Sequence, residues 1–221
     1  MSVNLACRTG HVSSALRDKD GNNYTTVTIG TQEWIVENFK TTTYADGSAI
    51  PNITVDATWV SDSTGAYCWY ENDSTTYADY GILYNWNAVN HASGLTYLER
   101  NGVEESGWRV PTRTDFQTLS TSIGGDVTGG YKLLEVGTTH WSLDTGHTNE
   151  TGFTAVGAGN RSWYYGTFDY IMSNNFLWSS TQVDATYSYS RLLQNSSGQF
   201  LEEDYREKNW GLSVRLVRDV V

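Results

Sequence analysis

The sequence predicts one β-rich domain of the α+β class, on three observations. Its 221 residues are an ordinary length for a single domain of this kind and can bury roughly 70% of the surface that the unfolded chain exposes. Nine Trp and 15 Tyr stand beside only two Pro and two Met, and aromatic-rich compositions favour strands. One strong helix signal follows Pro111. We therefore expect many short strands, long loops and few helices.

The first 23 residues are predicted to form a leader or tether, and residues 24–221 the folded domain. The leader is polar and ends in turn-forming residues at 18–23. Two apolar pieces follow, at 27–29 and 34–36, and Gly30 with Thr31 stands between them. This pattern predicts a β-hairpin with a tight turn. No Pro-rich or Ser-rich linker divides the rest of the chain.

The helix signal after Pro111 has a defined start and end. Thr112 is a good N-cap, and Asp115 three residues later completes a capping-box pattern. The apolar residues of one helical face are Phe116, Leu119 and Ile123. Gly124 and Gly125 end the helix. A second, shorter helix is predicted over residues 131–135, where glycines stand on both sides.

Four strands are predicted in the C-terminal part of the chain, at residues 153–156, 176–180, 189–193 and 212–217. Gly, Ser and Asn recur between these short apolar pieces, which is typical of strands separated by turns. The last piece alternates apolar and polar residues, so we expect a half-buried strand there. The apolar run at 80–89 is too short for periodicity to decide between strand and helix.

The charge balance excludes two classes of partner. The chain has 14 Lys and Arg against 25 Asp and Glu, a net charge of −11, and no basic run occurs. Binding to phosphate groups needs clustered Lys and Arg, so we expect neither nucleic-acid binding nor attachment to an anionic membrane. No stretch of about 18 apolar residues exists, so no membrane insertion is expected.

Cys7 and Cys68 are the only cysteines. They either form one disulfide or remain two thiols, and the sequence leaves both open. The N-terminus shows no basic-then-apolar signal pattern. The chain therefore either begins after a removed signal or reaches its site without one.

Five pieces of the sequence, taken in order, are similar to the Fibrobacter succinogenes major paralogous domain. They are QEWIVEN at 32–38, YGILYNW at 80–86, GWRVPT at 107–112, GTTHW at 137–141 with NETGFTA at 149–155, and LWSST at 177–181 with GLSVRLV at 211–217. The resemblance spans roughly residues 25–218 and rests on the ordered set rather than on any single piece.

The resemblance implies a C-type-lectin-like fold of the formylglycine-generating-enzyme branch, with two helices packed on twisted antiparallel sheets and long loops. It also implies a bacterial protein that is secreted or lies on the cell surface. Related domains are variable proteins of diversity-generating retroelements, among them phage tail-tip adhesins, so a virion is the other expected location. The implied function is a non-enzymatic receptor- or ligand-binding domain whose region of about residues 160–209 forms a variable binding face.

The residue types of this region fit a binding face physically. Tyr, Ser and Asn with Arg are common in recognition loops, where aromatic rings give large contact area at low entropic cost. The candidate ligand-binding residues are Tyr164, Tyr165, Thr181, Gln182, Asp184, Tyr187, Tyr189, Arg191, Asn195, Asp204, Tyr205, Glu207 and Asn209. The alternative is that they are ordinary solvated loop residues. The expected partner is a protein or glycan receptor on a cell surface, and the oligomeric state stays open.

The competing function is a carbohydrate-active enzyme or a structural surface protein. Glu202, Glu203 and Asp204 are adjacent acids, but neighbouring strand residues point to opposite faces, so a solvated face is favoured over a catalytic pair. The four His lack metal-ligand spacing, and no nucleophile-elbow or phosphate-loop motif occurs. We therefore expect no enzymatic activity and no catalytic residue.

No cofactor is carried over from the related families. The sequence lacks the Glu-Pro-Asn, Gln-Pro-Asp and Trp-Asn-Asp motifs of calcium-dependent sugar binding. The cysteine pair of formylglycine-generating enzymes is not matched either, because Cys7 lies outside the similar region. Asp46 with Gly47, and Asp144 with Gly146, could serve a structural calcium, but turn formation is favoured for both.

The family-like pieces also predict scaffold residues. Five Trp are expected to be mainly buried: Trp34, Trp108, Trp141, Trp178 and Trp210. Arg109 is expected to form a structural ion pair or to donate to loop carbonyls, with ligand binding as the alternative. His140 is expected to make a structural hydrogen bond.

Overall fold

Strands dominate the computed structural model, which describes residues 15–220 apart from the side chain of Asp204. The strands are β1 Leu16–Arg17, β2 Asn23–Tyr24, β3 Thr26–Ile29, β4 Gln32–Ile35, β5 Tyr67–Cys68, β6 Leu83–Tyr84, β7 Glu99–Arg100, β8 Val103–Glu104, β9 Ala158–Arg161, β10 Phe168–Ile171, β11 Asn174–Gln182, β12 Tyr187–Gln194, β13 Ser197–Glu207 and β14 Val217–Asp219. The α-helices are α1 Asp56–Ser61, α2 Trp86–Val89 and α3 Arg113–Ile123, and 3₁₀-helices occupy Tyr70–Asn72, Ala78–Tyr80 and Gly129–Lys132. This content agrees with the predicted α+β class.

The largest sheet has the strand order β10-β9-β11-β12-β13. Its pairs are antiparallel except β9 with β11, which run parallel with Asn175 opposite Gly159. The antiparallel pairing that the resemblance implies therefore does not hold at this pair. The smaller sheets have the orders β2-β1-β7-β8, β14-β4-β3 and β5-β6.

Both faces of the largest sheet are covered, which explains the continuous apolar run in β11. Leu177 belongs to a buried cluster that also contains Trp34 and, from α3, Phe116. Its neighbour Trp178 belongs to a second buried cluster with residues of β6 and α2. Because successive strand residues point to opposite faces, a strand that is covered on both sides has to be apolar at successive positions.

The hairpin and the main helix form where the sequence predicts them. β3 and β4 pair with Val27 opposite Trp34. At the start of α3, Thr112 accepts from the backbone of Asp115, and Asp115 accepts from the backbone of Thr112, so the capping box is complete. Gly124 ends the helix in the left-handed conformation. Both predictions are confirmed. Each depends on short-range signals, which a single sequence contains.

Residues 16–23, which were assigned to the leader, are part of the folded domain. β1 pairs with β2 and with β7, and Leu16 is buried in the core. Asp18 is buried too, and it accepts a hydrogen bond from the Tyr24 hydroxyl at 2.7 Å. The turn predicted at 18–23 is thus the connection of a hairpin. The predicted leader up to residue 14 lies outside the described residues.

The predicted second helix, 131–135, is wrong. A 3₁₀-helix ends at Lys132, and the chain then extends alongside Ala155. The backbone N–H of Ala155 donates to Leu133 O at 2.8 Å, and the N–H of Glu135 donates to Ala155 O at 3.0 Å. This bridge replaces both the helix and the strand predicted at 153–156. A segment this short gains few helical hydrogen bonds, and the bridge to Ala155 satisfies its backbone groups instead.

The segment 212–217 is fully buried, and a regular strand begins only at Val217. The half-buried strand predicted there is therefore wrong. Its polar residues have buried partners: Ser213 Oγ accepts from Asn38 Nδ2 at 3.3 Å, and Arg215 Nε donates to Asn38 Oδ1 at 3.0 Å. The alternating pattern reflects internal hydrogen bonding rather than solvent exposure.

The scaffold predictions are mostly confirmed. Trp34, Trp108, Trp141 and Trp178 are buried, whereas Trp210 is only partly buried at the edge of the core. Two ion pairs hold Arg109, to Asp115 at 2.6 Å and to Asp219 at 2.9 Å. Both partners of Arg109 are carboxylates, and Asp115 also belongs to the capping box of α3. His140 Nδ1 lies 2.9 Å from Glu135 Oε2.

Candidate functional site

Three tyrosines predicted for the binding face project into solvent. Tyr164 is 58% exposed, Tyr165 69% and Tyr205 71%. Single exposed apolar side chains are ordinary on a protein surface, but Tyr is enriched at interfaces because it joins a flat apolar ring to a hydroxyl. These residues are therefore the starting point for the site.

Tyr164 and Tyr165 lie on a short loop, residues 162–167, that connects β9 to β10. Ser162 Oγ accepts the backbone N–H groups of both tyrosines at 3.2 Å. Ser162 N donates to Thr167 O at 2.7 Å and closes the loop. The two rings meet edge to face at 4.6 Å. The backbone bonds hold the main chain of both tyrosines in one conformation, and the two rings pack against each other.

Arg161, at the end of β9, holds this loop from the protein interior. Its side chain is fully buried, and Nε donates to Gly166 O at 2.8 Å while Nη1 donates to Ile53 O at 2.5 Å. Nη2 forms an ion pair with Asp56 at 2.8 Å, and the guanidinium lies over the ring of Trp59 at 4.6 Å. Arg161 thus ties the tyrosine loop to the segment that precedes and begins α1.

A second loop, residues 183–186, connects β11 to β12. Asp184 Oδ1 accepts the backbone N–H groups of Thr186 and Tyr187 at 2.7 and 2.8 Å. Hydrogen bonds from Tyr187 and Thr186 hold the pKa of Asp184 below its usual value. Lys208 Nζ donates to the carbonyl oxygens of Asp184 and Ala185 at 2.8 and 3.1 Å. The loop is therefore closed by its own backbone and by Lys208.

The tyrosines of β12 and β13 form a third patch beside this loop. The rings of Tyr187 and Tyr205 meet edge to face at 5.7 Å. Tyr189 lies under the guanidinium of Arg113, 4.5 Å from its ring centre, and Arg113 Nη2 forms an ion pair with Glu202 at 2.7 Å. The β12–β13 register shifts between Ser188 and Ser190, within this patch. Such a bulge redirects side chains locally.

A cleft joins the segments that carry these loops. It has a volume of about 400 Å³ and is lined by Val60, Ser63, Asn87, Trp163, Ala185, Thr186, Glu207, Lys208 and Asn209. An adjoining groove of about 470 Å³ shares Glu207 and is lined also by Tyr205, Arg206 and Trp210. The predicted segments at 164–165, 184–187 and 205–209 therefore meet at one end of the sheet, with Trp163 between the first of them and the cleft.

Arg191 and Asn195 do not belong to this exposed face, so their inclusion was wrong. Arg191 is buried, and it donates to Phe200 O at 2.9 Å and pairs with Asp126 at 3.0 Å. Asn195 is buried at the opposite end of β12, where Nδ2 donates to Ser142 Oγ at 2.8 Å. Both side chains therefore form hydrogen bonds inside the scaffold and are not available to a ligand.

The other predicted residues lie near the face with different exposure. Gln182 is exposed, and its Oε1 accepts from Lys208 Nζ at 3.3 Å. Thr181 is half-buried, and its hydroxyl accepts from the first N–H of α3. Asn209 is half-buried and donates to the carbonyl oxygens of Val60 and Asp62. The side chain of Asp204 lies outside the described part of the structure.

The adjacent acids do point apart, as their positions on a strand imply. Glu202 pairs with Arg113 and Arg191, whereas Glu203 pairs with Arg206. The expectation of a simply solvated face is wrong, because both carboxylates are half-buried and held by arginines. These ion pairs leave no two converging carboxylates at 202 and 203.

The proposed calcium turns use their carboxylates internally. Asp144 accepts the backbone N–H groups of Gly137, Gly146 and His147, and these bonds hold its pKa at about 2. Asp46 accepts from the hydroxyl and N–H of Ser48. Within residues 15–220, no group of three or more His, Cys, Asp and Glu is arranged to hold a metal ion.

Sequence reasoning missed Trp163 and Lys208. Trp163 lines the cleft, and its ring meets Tyr164 at 5.3 Å. Its position directly before two tyrosines, outside all the family-like pieces, was a signal that it could serve the site. Lys208 shapes the loop at 183–186 through long-range bonds, and nothing in the local sequence marks it for that role.

The fold and this surface define a β-rich α+β domain with a preorganised, aromatic-lined surface at one end of its main sheet. The chain belongs to the Fibrobacter succinogenes major domain family, whose model matches residues 27–218. No curated protein and no solved structure matches the chain. Among the described helices, none has both the length and the apolar character needed to cross a membrane.

Proposed function

We propose that the chain is a non-enzymatic binding domain that recognises a receptor on a cell surface through the face described above. The observation that carries this proposal is the exposure of Tyr164, Tyr165 and Tyr205, each with its ring packed against another tyrosine ring. Ordering a flexible side chain on binding costs roughly 0.5–1.5 kcal/mol. Rings that already pack against a neighbouring ring avoid part of that cost, so they suit a recognition role.

The family membership supports the finer fold proposal, a C-type-lectin-like domain. Two features agree with it: α3 packs on one face of the main sheet, and long loops connect the elements. The pairing of β14 with β4, with Val217 opposite Trp34, brings the two ends of the matched region together. On the same basis we propose a secreted, cell-surface or phage-tail location and a variable face at about residues 160–209.

The face is tested by replacing Tyr164, Tyr165 and Tyr205 together with Ala. Because the side chains are exposed, the melting temperature should change little, since surface substitutions usually alter stability by less than about 0.5 kcal/mol. Adhesion to bacterial cells that bind the parent protein should fall strongly. A matched control replaces Val136 and Leu143, which are also exposed, in the segment that contacts the far end of β12.

Two results would contradict the proposal. Unchanged adhesion of the tyrosine variant would move the binding site elsewhere, and equal loss in the control variant would show a non-specific effect. The competing function, a carbohydrate-active enzyme, predicts turnover of nitrophenyl glycosides or oligosaccharides that is abolished by Glu202→Gln. The ion pairs of Glu202 and Glu203 with arginines argue against that alternative.

A further inference from the structure

We propose that the cleft beside Trp163 binds a neutral, hydroxyl-rich unit of a glycan. This inference rests on the proposed binding function and names the class of ligand for one part of the face. The cleft, of about 400 Å³, falls within the size range of small-molecule sites, roughly 300–1,000 Å³. A single saccharide unit or a pair of units is a ligand of suitable size.

The cleft offers neutral hydrogen-bonding groups that have no partner in the protein. In the described part of the chain, the side chains of Ser63, Asn87 and Thr186 make no hydrogen bond, although all three line the cleft. A hydroxyl group both donates and accepts, as do these side chains. Asn209 uses its amide N–H groups on backbone carbonyls, so its Oδ1 remains as an acceptor.

The charges of the cleft argue against an anionic ligand. Lys208 is the one cation of the lining, and Glu207 is its one carboxylate. The ammonium group has three N–H donors, and these are directed to Gln182 Oε1, Asp184 O and Ala185 O. No lining cation therefore has free donors for a phosphate, sulfate or carboxylate group.

The aromatic wall and the remaining lining agree with a sugar rather than an apolar ligand. Trp163 is half-buried and supplies an indole ring against which the C–H face of a pyranose can lie. Beyond it, the aliphatic lining is limited to Val60 and Ala185. Sites for apolar ligands are lined mainly by hydrophobic side chains. In this cleft, six of the nine lining residues are polar or charged. A protein partner would rather use the broad tyrosine surface outside the cleft.

The test is binding of the full chain to an immobilised panel of neutral gluco-, galacto-, manno- and xylo-oligosaccharides, with sulfated and carboxylated counterparts. At least one neutral oligosaccharide should bind better than its charged counterpart. Asn87→Ala and Thr186→Ala should each weaken that binding by up to about tenfold, since one lost hydrogen bond of about 1.4 kcal/mol is a factor of ten. Trp163→Ala should abolish it.

Thr139→Ala is the matched control, because Thr139 is exposed outside the site, and it should bind as the parent does. Melting curves of all variants identify any that fail to fold. Thr186 is exposed, so Thr186→Ala should fold and test the inference even if Trp163→Ala does not fold. Absence of neutral-sugar binding, preference for the charged sugars, or full binding by both Asn87→Ala and Thr186→Ala would overturn the inference. Cell adhesion that needs the tyrosines, but is abolished by protease and unaffected by neutral sugars, would overturn it while the proposed function stands.

Discussion

Replacing Trp178 by Ala should strongly destabilise the domain. Trp178 is fully buried in β11, and a buried Trp removes about 150–250 Å² from water. At about 25 cal/mol per Å², that area corresponds to roughly 4–6 kcal/mol. Alanine retains part of it, so we expect a loss of about 3–5 kcal/mol in the free energy of unfolding. The lost hydrogen bond adds little, because Tyr84 O also accepts from Leu212 N at 3.0 Å.

The assay is urea unfolding followed by far-ultraviolet circular dichroism, in which the midpoint of the backbone transition is compared between variants. Tyr205→Ala is the matched control: it also truncates an aromatic residue of the same sheet, but an exposed one. Its unfolding free energy should change by less than about 0.5 kcal/mol. If Trp178→Ala unfolded at the same urea concentration as the control, the two-sided burial of β11 would be refuted.

Three further predictions concern the scaffold. Burial raises the pKa of Asp115, but hydrogen bonds from Arg109 and Thr112 outweigh it and hold that pKa below 3.8. A lowered carboxyl pKa contributes stability above its unfolded value that is lost as the pH falls. Asp115→Asn should therefore flatten the decline of the urea midpoint on acidification below about pH 4, and a decline as steep as that of the parent would contradict this. Burial raises the pKa of the Cys68 thiol to about 12. In a Cys7→Ser variant, where Cys68 is the one remaining thiol, the native protein should resist a thiol reagent at about pH 8 and react once it is unfolded. Rapid labelling of the native protein would disprove the burial. Arg161→Lys should lower the unfolding free energy by about 1–3 kcal/mol through unpaired buried carbonyls, and should weaken adhesion more than Arg17→Lys, an exposed control.

The elements that the sequence predicts well are those built from local signals. The hairpin of β3 and β4 follows from two apolar pieces and the turn at Gly30, and α3 follows from Thr112, Asp115 and Gly124. Each signal acts within a few residues, so one sequence is enough to detect it. The short helix expected at 131–135 failed because the competing bridge to Ala155 comes from 20 residues further along the chain.

Burial of polar residues was the least predictable property. Arg191, Asn195 and Arg215 have side chains that are usually exposed, yet all three are buried. Each is bonded to groups distant in sequence, as Arg191 is to Asp126 and Arg215 to Asn38. The order of residue types along the chain does not reveal such distant partners. The composition of the segment therefore could not show that Arg191 is buried while Tyr187 lies at the face.

The location of the face was more predictable than its membership. Its segments flank strands, and the ends of neighbouring strands meet at one edge of the sheet, which the topology largely dictates. Its cleft was not predictable, because Ser63 follows α1 and Asn87 lies in α2, and the sequence did not connect either segment to the face. Whether the predicted residues bind a ligand stays a prediction until the adhesion and glycan tests are done.

The side chains that support the face bind the main chain of its loops rather than the loop side chains. Arg161, Lys208 and Asn209 all hold the loops through main-chain carbonyl oxygens, including those of Gly166, Ala185 and Asp62. Every residue type supplies such a carbonyl. Side chains at 164, 165, 185 and 186 can therefore be exchanged without removing any of these supports. A library randomised at those four positions should keep the parent's melting behaviour in most members while its binding preferences diverge, which makes the domain a usable framework for selecting new binders.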